Sequence, residues 1–475
     1  MIDDGSYDAL DKVASDIIKD GLAKYLIDAD LSRLALNLIG RLAASDPDAA
    51  ARWYGDIQTL AAKHPKEPAL REQQAKAAFS LIYHLAAADP IAAARRYSDI
   101  QTLADNHPKE PALRELQAVA TTTLIGRLAA SDPVAAARLY GDIQTLAANH
   151  PNEEVPRQQQ AKAAFNLVGR LAASDPDAAA RWYGDIQTLA ANHPKEEEAR
   201  ELQAMAATNL IGHLAAPDPD AAASWYGDIQ TLAANHPKEK TLRESQAKAA
   251  FNLIGRLATS DPDAAARWYG DIKTLAAKYP KEAALRDPQS RAAANLIGRL
   301  ASSDPDAAAR WYGDIKTLAA KHPKEVALRE RQAEAAFNLI ADFAAADPDA
   351  AVRWYGDIKT LAAKYPKEEA RREQQAKAAL NLIGRLEASD PDADARWYGD
   401  IKTLAAKYPK EETLSELQTM AATNLLVAYA ESADKAGVKQ MEADIRRIAE
   451  ENPGIPICQE AAGQLAVIPE WEEET

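Results

Sequence analysis

An aspartate in a GDI or SDI triplet falls at Asp56, Asp99, Asp142, Asp185, Asp228, Asp271, Asp314, Asp357 and Asp400, and every step is 43 residues. The Asp-Pro pair keeps this step from Asp46-Pro47 to Asp390-Pro391, and so does the proline after His or Tyr, from Pro65 to Pro409. A tenth, degenerate unit follows, with Asp444-Ile445 displaced by one residue and Asn452-Pro453 replacing His-Pro. No other feature constrains the fold as much. A unit this short cannot bury its apolar face alone, so successive units must stack.

Each unit reads as two helices. In the unit Pro151–His193 the second helix begins at Ser174-Asp175-Pro176. Asp175 is placed as N-cap and Pro176 as first helical residue, where a missing N–H costs nothing. Ala179, Tyr183, Ile186 and Ala190 then form one apolar face, which Trp182 and Leu189 widen. Asp177, Arg181 and Asp185 lie opposite, four apart, at the spacing for ion pairs within a helix. The helix must stop before Pro194. Prolines also bound the first helix: Pro288 is cheap only in a first turn, so the common helix is expected to cover about 15 residues. The segment before it is a connector or an extra turn. Ala164, Phe165, Leu167, Val168, Leu171 and Ala172 cover more than half of this helix, as in the inner layer of a solenoid. One polar stripe remains, Gln159, Lys162, Asn166 and Arg170.

The expected fold is all-α, an αα-solenoid superhelix of about ten two-helix repeats with terminal capping helices. It divides into an N-terminal helical cap (1–21), the array (22–452), and a C-terminal capping helix with an acidic tail (453–475). Sparse glycine and only 6% aromatic residues suit this class. A net charge of −15 argues against a general nucleic-acid binder, though not against local basic stripes. Cys458 is the only cysteine, which excludes an intrachain disulfide and a cysteine metal cluster. No secretory leader and no apolar run long enough for a bilayer are visible, so a soluble cytoplasmic protein is expected.

The quoted segments NLIG on the first helix, AAARWYGDI on the second and NHPKE at the junction resemble tetratricopeptide repeats. The similarity is greatest to the longer bacterial and kinesin-light-chain-like variants, and it spans about residues 22 to 452. Other αα-repeats of similar length stay open. The resemblance implies a right-handed superhelix whose concave face, lined by first helices, binds peptides or partner proteins, and it implies no enzymatic activity.

Residues that look chemical are explained by architecture. His64, His107, His150, His193, His236 and His322 share a slot with Tyr279, Tyr365 and Tyr408, and a metal ligand or general base would not exchange with tyrosine. The slot suits an amphipathic side chain closing a helix end. Trp182 and its equivalents share a slot with Arg96 and Leu139, as expected of a half-buried seam. Gly55 and its equivalents destabilise a helix interior, and close helix packing is the expected reason. Cys458 reads as a small apolar residue. No residue set forms a catalytic constellation, a metal site or a cofactor site, so an enzyme is not expected.

Variation between units concentrates near the polar stripe. One type of unit carries Gln73, Lys76 and Phe79, or Gln159, Lys162 and Phe165, or Ser245, Lys248 and Phe251. The other carries Leu116, Val119 and Thr122, or Leu202, Met205 and Thr208, or Leu417, Met420 and Thr423. This looks like volume compensation along one helix edge. The i, i+4 pairs Lys162-Asn166, Lys248-Asn252 and Lys377-Asn381 resemble the carboxylate clamp of peptide-binding tetratricopeptide domains. The candidate groove therefore holds Lys76, Arg127, Lys162, Asn166, Arg170, Lys248, Asn252, Arg256, Arg299, Lys377, Asn381 and Arg385. Its apolar positions are Leu116, Val119, Leu202, Met205, Leu417 and Met420. The expected partner is a protein or peptide with acidic or C-terminal carboxylate groups, with no nucleic acid and no membrane, and the chain is expected to be monomeric. A regulatory or inhibitory subunit of a bacterial effector, contacting it through the non-repetitive ends, is the alternative, and a structural spacer the next.

Overall fold

The structure, a computed structural model, describes residues 46–86, 89–386 and 391–465, with 36, 39, 40, 42 and 43. The expected cap over 1–21, the acidic tail and the side chain of Arg385 lie outside the described residues. The chain is an αα-solenoid: every regular element among the described residues is a helix. It forms two compact units, Met1–Ala249 and Ala250–Thr475.

Unit 1 contains α1 (Pro47–Lys63), α2 (Pro68–Leu85), α3 (Pro90–Asn106), α4 (Pro111–Leu128), α5 (Pro133–Asn149), α6 (Glu154–Leu171), α7 (Pro176–Asn192), α8 (Glu197–Leu214) and α9 (Pro219–Asn235). The division falls within α10 (Lys240–Leu257). Unit 2 continues with α11 (Pro262–Lys278), α12 (Ala283–Leu300), α13 (Pro305–Lys321), α14 (Val326–Phe343), α15 (Pro348–Lys364), α16 (Glu369–Leu386), α17 (Pro391–Lys407), α18 (Glu412–Glu431), α19 (Lys435–Glu451) and α20 (Pro456–Leu465). Even-numbered helices are the first of each pair, odd-numbered ones the second.

The second helices start as their sequence dictates. Asp175 accepts a hydrogen bond from the Ala178 N–H at 3.0 Å, and Pro176 follows as first helical residue. The same cap recurs at Asp132, Asp261, Asp304 and Asp347. Ala179, Tyr183, Ile186 and Ala190 are buried, and α7 stops at Asn192 with His193 as C-cap. The first helices run to 18 residues, longer than expected, because the segment preceding the common core is helical too. Pro288 consequently lies inside α12, where it removes the N–H that would bond the Ala284 carbonyl. The added turn carries an arginine whose contacts, described below, hold it in place.

Within each unit the backbones of successive first helices pack against one another, α4 on α6 and α6 on α8, or α12 on α14 and α14 on α16. Second helices pack against their own first helix and the next one, as α7 does on α6 and α8 and α15 on α14 and α16. Successive second helices meet through side chains (Tyr183 to Asp228, for example). The core is the buried Ala, Leu and Ile of the first helices against the Ala-Tyr-Ile face of the second. Beyond α19, Ile455, just before α20, and Cys458 within it pack on Ile448 and Ala449.

Two details depart from expectation. A Cβ added at Gly55, Gly141, Gly184, Gly313 or Gly356 would meet nothing within 4 Å, so close packing is not the reason for glycine there. The carbonyls of Gly55, Gly141 and Gly184 accept a hydrogen bond from the threonine four residues on, which alanine would permit equally. Second, Asp394 is fully buried in a slot that is alanine in the other second helices, such as Ala308 and Ala351. Burying a carboxylate costs more than burying a methyl group.

Candidate binding surface

The seam between repeats uses the residues that look most chemical. The Tyr183 hydroxyl donates to Asp228 at 2.9 Å, and the same bond joins Tyr54 to Asp99, Tyr269 to Asp314, Tyr312 to Asp357 and Tyr398 to Asp444. A buried glutamine of the intervening first helix, such as Gln203 or Gln332, bonds the same phenol. Burial pushes the Tyr97 hydroxyl up to about 12. Burial, with the facing carboxylate, also holds Tyr183, Tyr269 and Tyr312 far above the ordinary phenol value. Asp185, Asp228, Asp314, Asp357, Asp400 and Asp444 each take a partner from a residue four beyond the seam tyrosine of the preceding repeat. In unit 1 this is glutamine, Gln187 to Asp228 at 2.8 Å. In unit 2 it is lysine, with Lys273, Lys316, Lys359 and Lys402 each 2.7–3.0 Å from a carboxylate oxygen. The GDI aspartate thus serves the seam, and the ion pairs expected along the helix through Asp177, Arg181 and Asp185 do not form. Trp182 and Trp397 complete the seam, edge-on to Tyr140 and Tyr355 at 4.6 and 4.9 Å.

A second contact locks the junction. Arg372 donates through Nε to Glu411 at 3.0 Å, through Nη2 to the same carboxylate, and through Nη1 to the Pro366 carbonyl. Arg71, Arg114, Arg157, Arg200 and Arg286 repeat the arrangement with Glu110, Glu153, Glu196, Glu239 and Glu325. The hydrogen bond from Arg114 holds Glu153 below the usual carboxylate range. The His/Tyr slot borders this pair. Tyr365 and Tyr408 lie under the guanidinium groups of Arg329 and Arg372 at 4.1 Å. His236 Nδ1 sits 3.4 Å from Glu239. Either side chain lines the clamp, which explains their exchange. The Gln and Glu slots, unchanged from Gln74 to Gln418 and from Glu67 to Glu411, and the Arg slot, which runs from Arg71 to Arg372 and ends at Ser415, were not singled out from the sequence, although their recurrence was visible.

The predicted stripe lies on the outward side of the first helices. Arg127, Arg170, Arg256 and Arg299 are exposed near helix ends, Lys248 and Lys377 are exposed, and Lys76, Lys162, Asn166, Asn252 and Asn381 are half-buried. Most of the lysines already hold a glutamate. Lys162 reaches Glu198 of the next first helix at 2.7 Å, while Lys76 and Lys377 pair with Glu72 and Glu373 on their own helices. Asn166 spans the gap between first helices: its Nδ2 lies 3.2 Å from where a Cβ on Gly126 would be, and Asn209 stands 3.7 Å from the same point on Gly169. Here glycine does serve close approach.

The apolar positions divide. Met205 and Met420 are 45% and 41% exposed, and Leu116 and Val119 half-buried. Leu202 and Leu417 are buried, which removes them from the groove. Between neighbouring first helices Thr122 Oγ1 donates to the Gln159 carbonyl, and Thr208 Oγ1 to that of Ser245, 37 residues on in both cases.

No protein-family model matches the chain, and no curated protein matches it. Among solved structures it is similar to a chain in the structure described as "Kap95p Binding Induces the Switch Loops of RanGDP to adopt the GTP-bound Conformation: Implications for Nuclear Import Complex Assembly Dynamics". Identity is 14% and the TM-score 0.49, with 96% of this chain and 66% of that chain covered. The present chain thus spans just under two thirds of that chain's length. No helix among the described residues is long and apolar enough to cross a membrane.

Proposed function

We propose that the chain is a non-enzymatic, cytoplasmic protein-interaction scaffold built of tetratricopeptide-like units. In unit 1 it would hold an extended peptide across the outward faces of α4, α6 and α8. The observation that carries this is a set of side chains on three first helices that pack side by side. Arg127, Lys162, Asn166, Arg170 and Met205 remain at least partly exposed, while the residues beneath them are committed to the seam. Cationic groups and an amide suit a peptide carboxylate and backbone, and an exposed thioether suits an apolar side chain.

A peptide selected on the full-length chain from a random library with free C-termini supplies the probe. Combined Lys162→Ala, Asn166→Ala and Arg170→Ala is expected to weaken it at least about tenfold, about 1.4 kcal/mol, with helicity unchanged. An affinity equal to that of the parent chain would rule this face out.

A further inference from the structure

The junctions of unit 2 carry an unbroken lysine series that unit 1 matches in full only at its first junction, with Lys63 and Lys66. Lys278 and Lys281 open it, one in the last turn of a second helix and one after the proline, and the pair repeats every 43 residues to Lys407 and Lys410. All of these lysines are exposed. None lies within 4.0 Å of a carboxylate among the described residues. The carboxylates around them are already engaged: Glu325, Glu368 and Glu411 by the junction arginines, and Asp314, Asp357 and Asp400 by Lys273, Lys316 and Lys359. Glu369 and Glu412, at the starts of α16 and α18, are the exposed exceptions. The edge is therefore strongly basic in a chain of net charge −15.

Helix stability does not require this. A lysine in a last turn complements the helix dipole, yet α5 and α7 end in Asn149 and Asn192 in the same slot. The second lysine of each pair lies beyond the helix. Between α11, α12 and α13 there is also a cavity of about 280 Å³. Lys273, Lys321 and Arg286 line it together with the buried Gln289 and with Asp314, which already pairs with Lys273. Its volume admits a carboxylate side chain.

We propose that the junction edge of unit 2 binds an acidic segment of a partner protein, with carboxylates seated between successive second helices. A protein segment fits better than nucleic acid. Tyr365 and Tyr408 on this edge each lie under an arginine, and Tyr279, Tyr365 and Tyr408 each have a lysine ammonium within 5.6 Å of the ring centroid, which leaves little ring face to stack on a base. The edge is separate from the first-helix face of unit 1, and the two sites stand or fall independently.

The probe is a fluorescent peptide of about 20 residues with glutamate at every third position, a spacing of about 10 Å in an extended chain. It is titrated into the full chain at low and at physiological salt. Combined Lys278→Glu, Lys321→Glu, Lys364→Glu and Lys407→Glu is expected to weaken binding at least about tenfold, and the neutral Lys→Gln set by less. Reversal of Lys63, Lys109, Lys195 and Lys238 in unit 1 is expected to leave it unchanged. Circular dichroism establishes that the variants are folded. The proposal is overturned by absent peptide binding, by an equal loss in the unit 1 variant, or by a DNA duplex of equal charge that binds more tightly through the same lysines. A change confined to self-association in sedimentation would overturn it too, by assigning the edge to contacts between copies.

Discussion

Replacing Arg372 by methionine is expected to remove about 3–5 kcal/mol from the seam it spans. Arg372 is only 6% exposed, and it neutralises Glu411 while satisfying the Pro366 carbonyl. Its substitution leaves a carboxylate that is 14% exposed without its cation and a backbone acceptor without its donor. Methionine keeps the stem packing, so the loss reports the polar contacts. Because a stacked array need not unfold in one step, the readout is hydrogen exchange by segment. Protection should fall in α16 and α18, and much less in α12. A second substitution, Glu411→Leu, should restore much of the loss by removing the orphaned charge. Loss spread evenly over unit 2, or no rescue, would show that the pair does not act as a local clamp.

Alkali is expected to unfold the array well before it would unfold a comparable helical protein. The seam phenols of Tyr54, Tyr97, Tyr140, Tyr183, Tyr269, Tyr312, Tyr355 and Tyr398 are all raised, chiefly by burial. The sign follows from proton counts. Above the ordinary phenol value of about 10 the unfolded chain has lost these protons while the folded chain keeps them, so stability falls as pH rises. The contribution is fully present below pH 10, and for Tyr97 it is lost as pH climbs from 10 through about 12. Each raised phenol costs about 1.4 kcal/mol per pH unit in that window. Several together exceed the stability of an ordinary domain, about 5–15 kcal/mol. Phenolate absorbance from these tyrosines should rise together with the loss of helical circular dichroism, and Tyr312→Phe should make the pH dependence shallower. Smooth phenolate formation near pH 10 with helicity intact would refute the buried seam.

The candidate surface was legible in part. A helical wheel places Arg127, Arg170 and Arg299 outward from their own helix alone, and the structure leaves them exposed. It fails at Leu202 and Leu417, because whether the edge of a wheel faces solvent or a neighbour depends on how the next helix is placed. The wheel is equally silent on pairing: the glutamate that Lys162 meets belongs to the next helix.

The sequence alone determined the period, the helix pairs, the Asp-Pro starts and the apolar faces. These depend on propensity, capping and spacing within one chain segment, which residue order specifies directly. Tertiary structure decided what the repeated polar residues do. The GDI aspartate meets a phenol 45 residues before it, and the PKE glutamate an arginine 39 residues before it. Such bonds exist because stacking brings helices nearly one period apart within reach of a side chain. That distance is set by the packing of small residues between helices, and a repeat records that a residue is needed without recording which partner needs it.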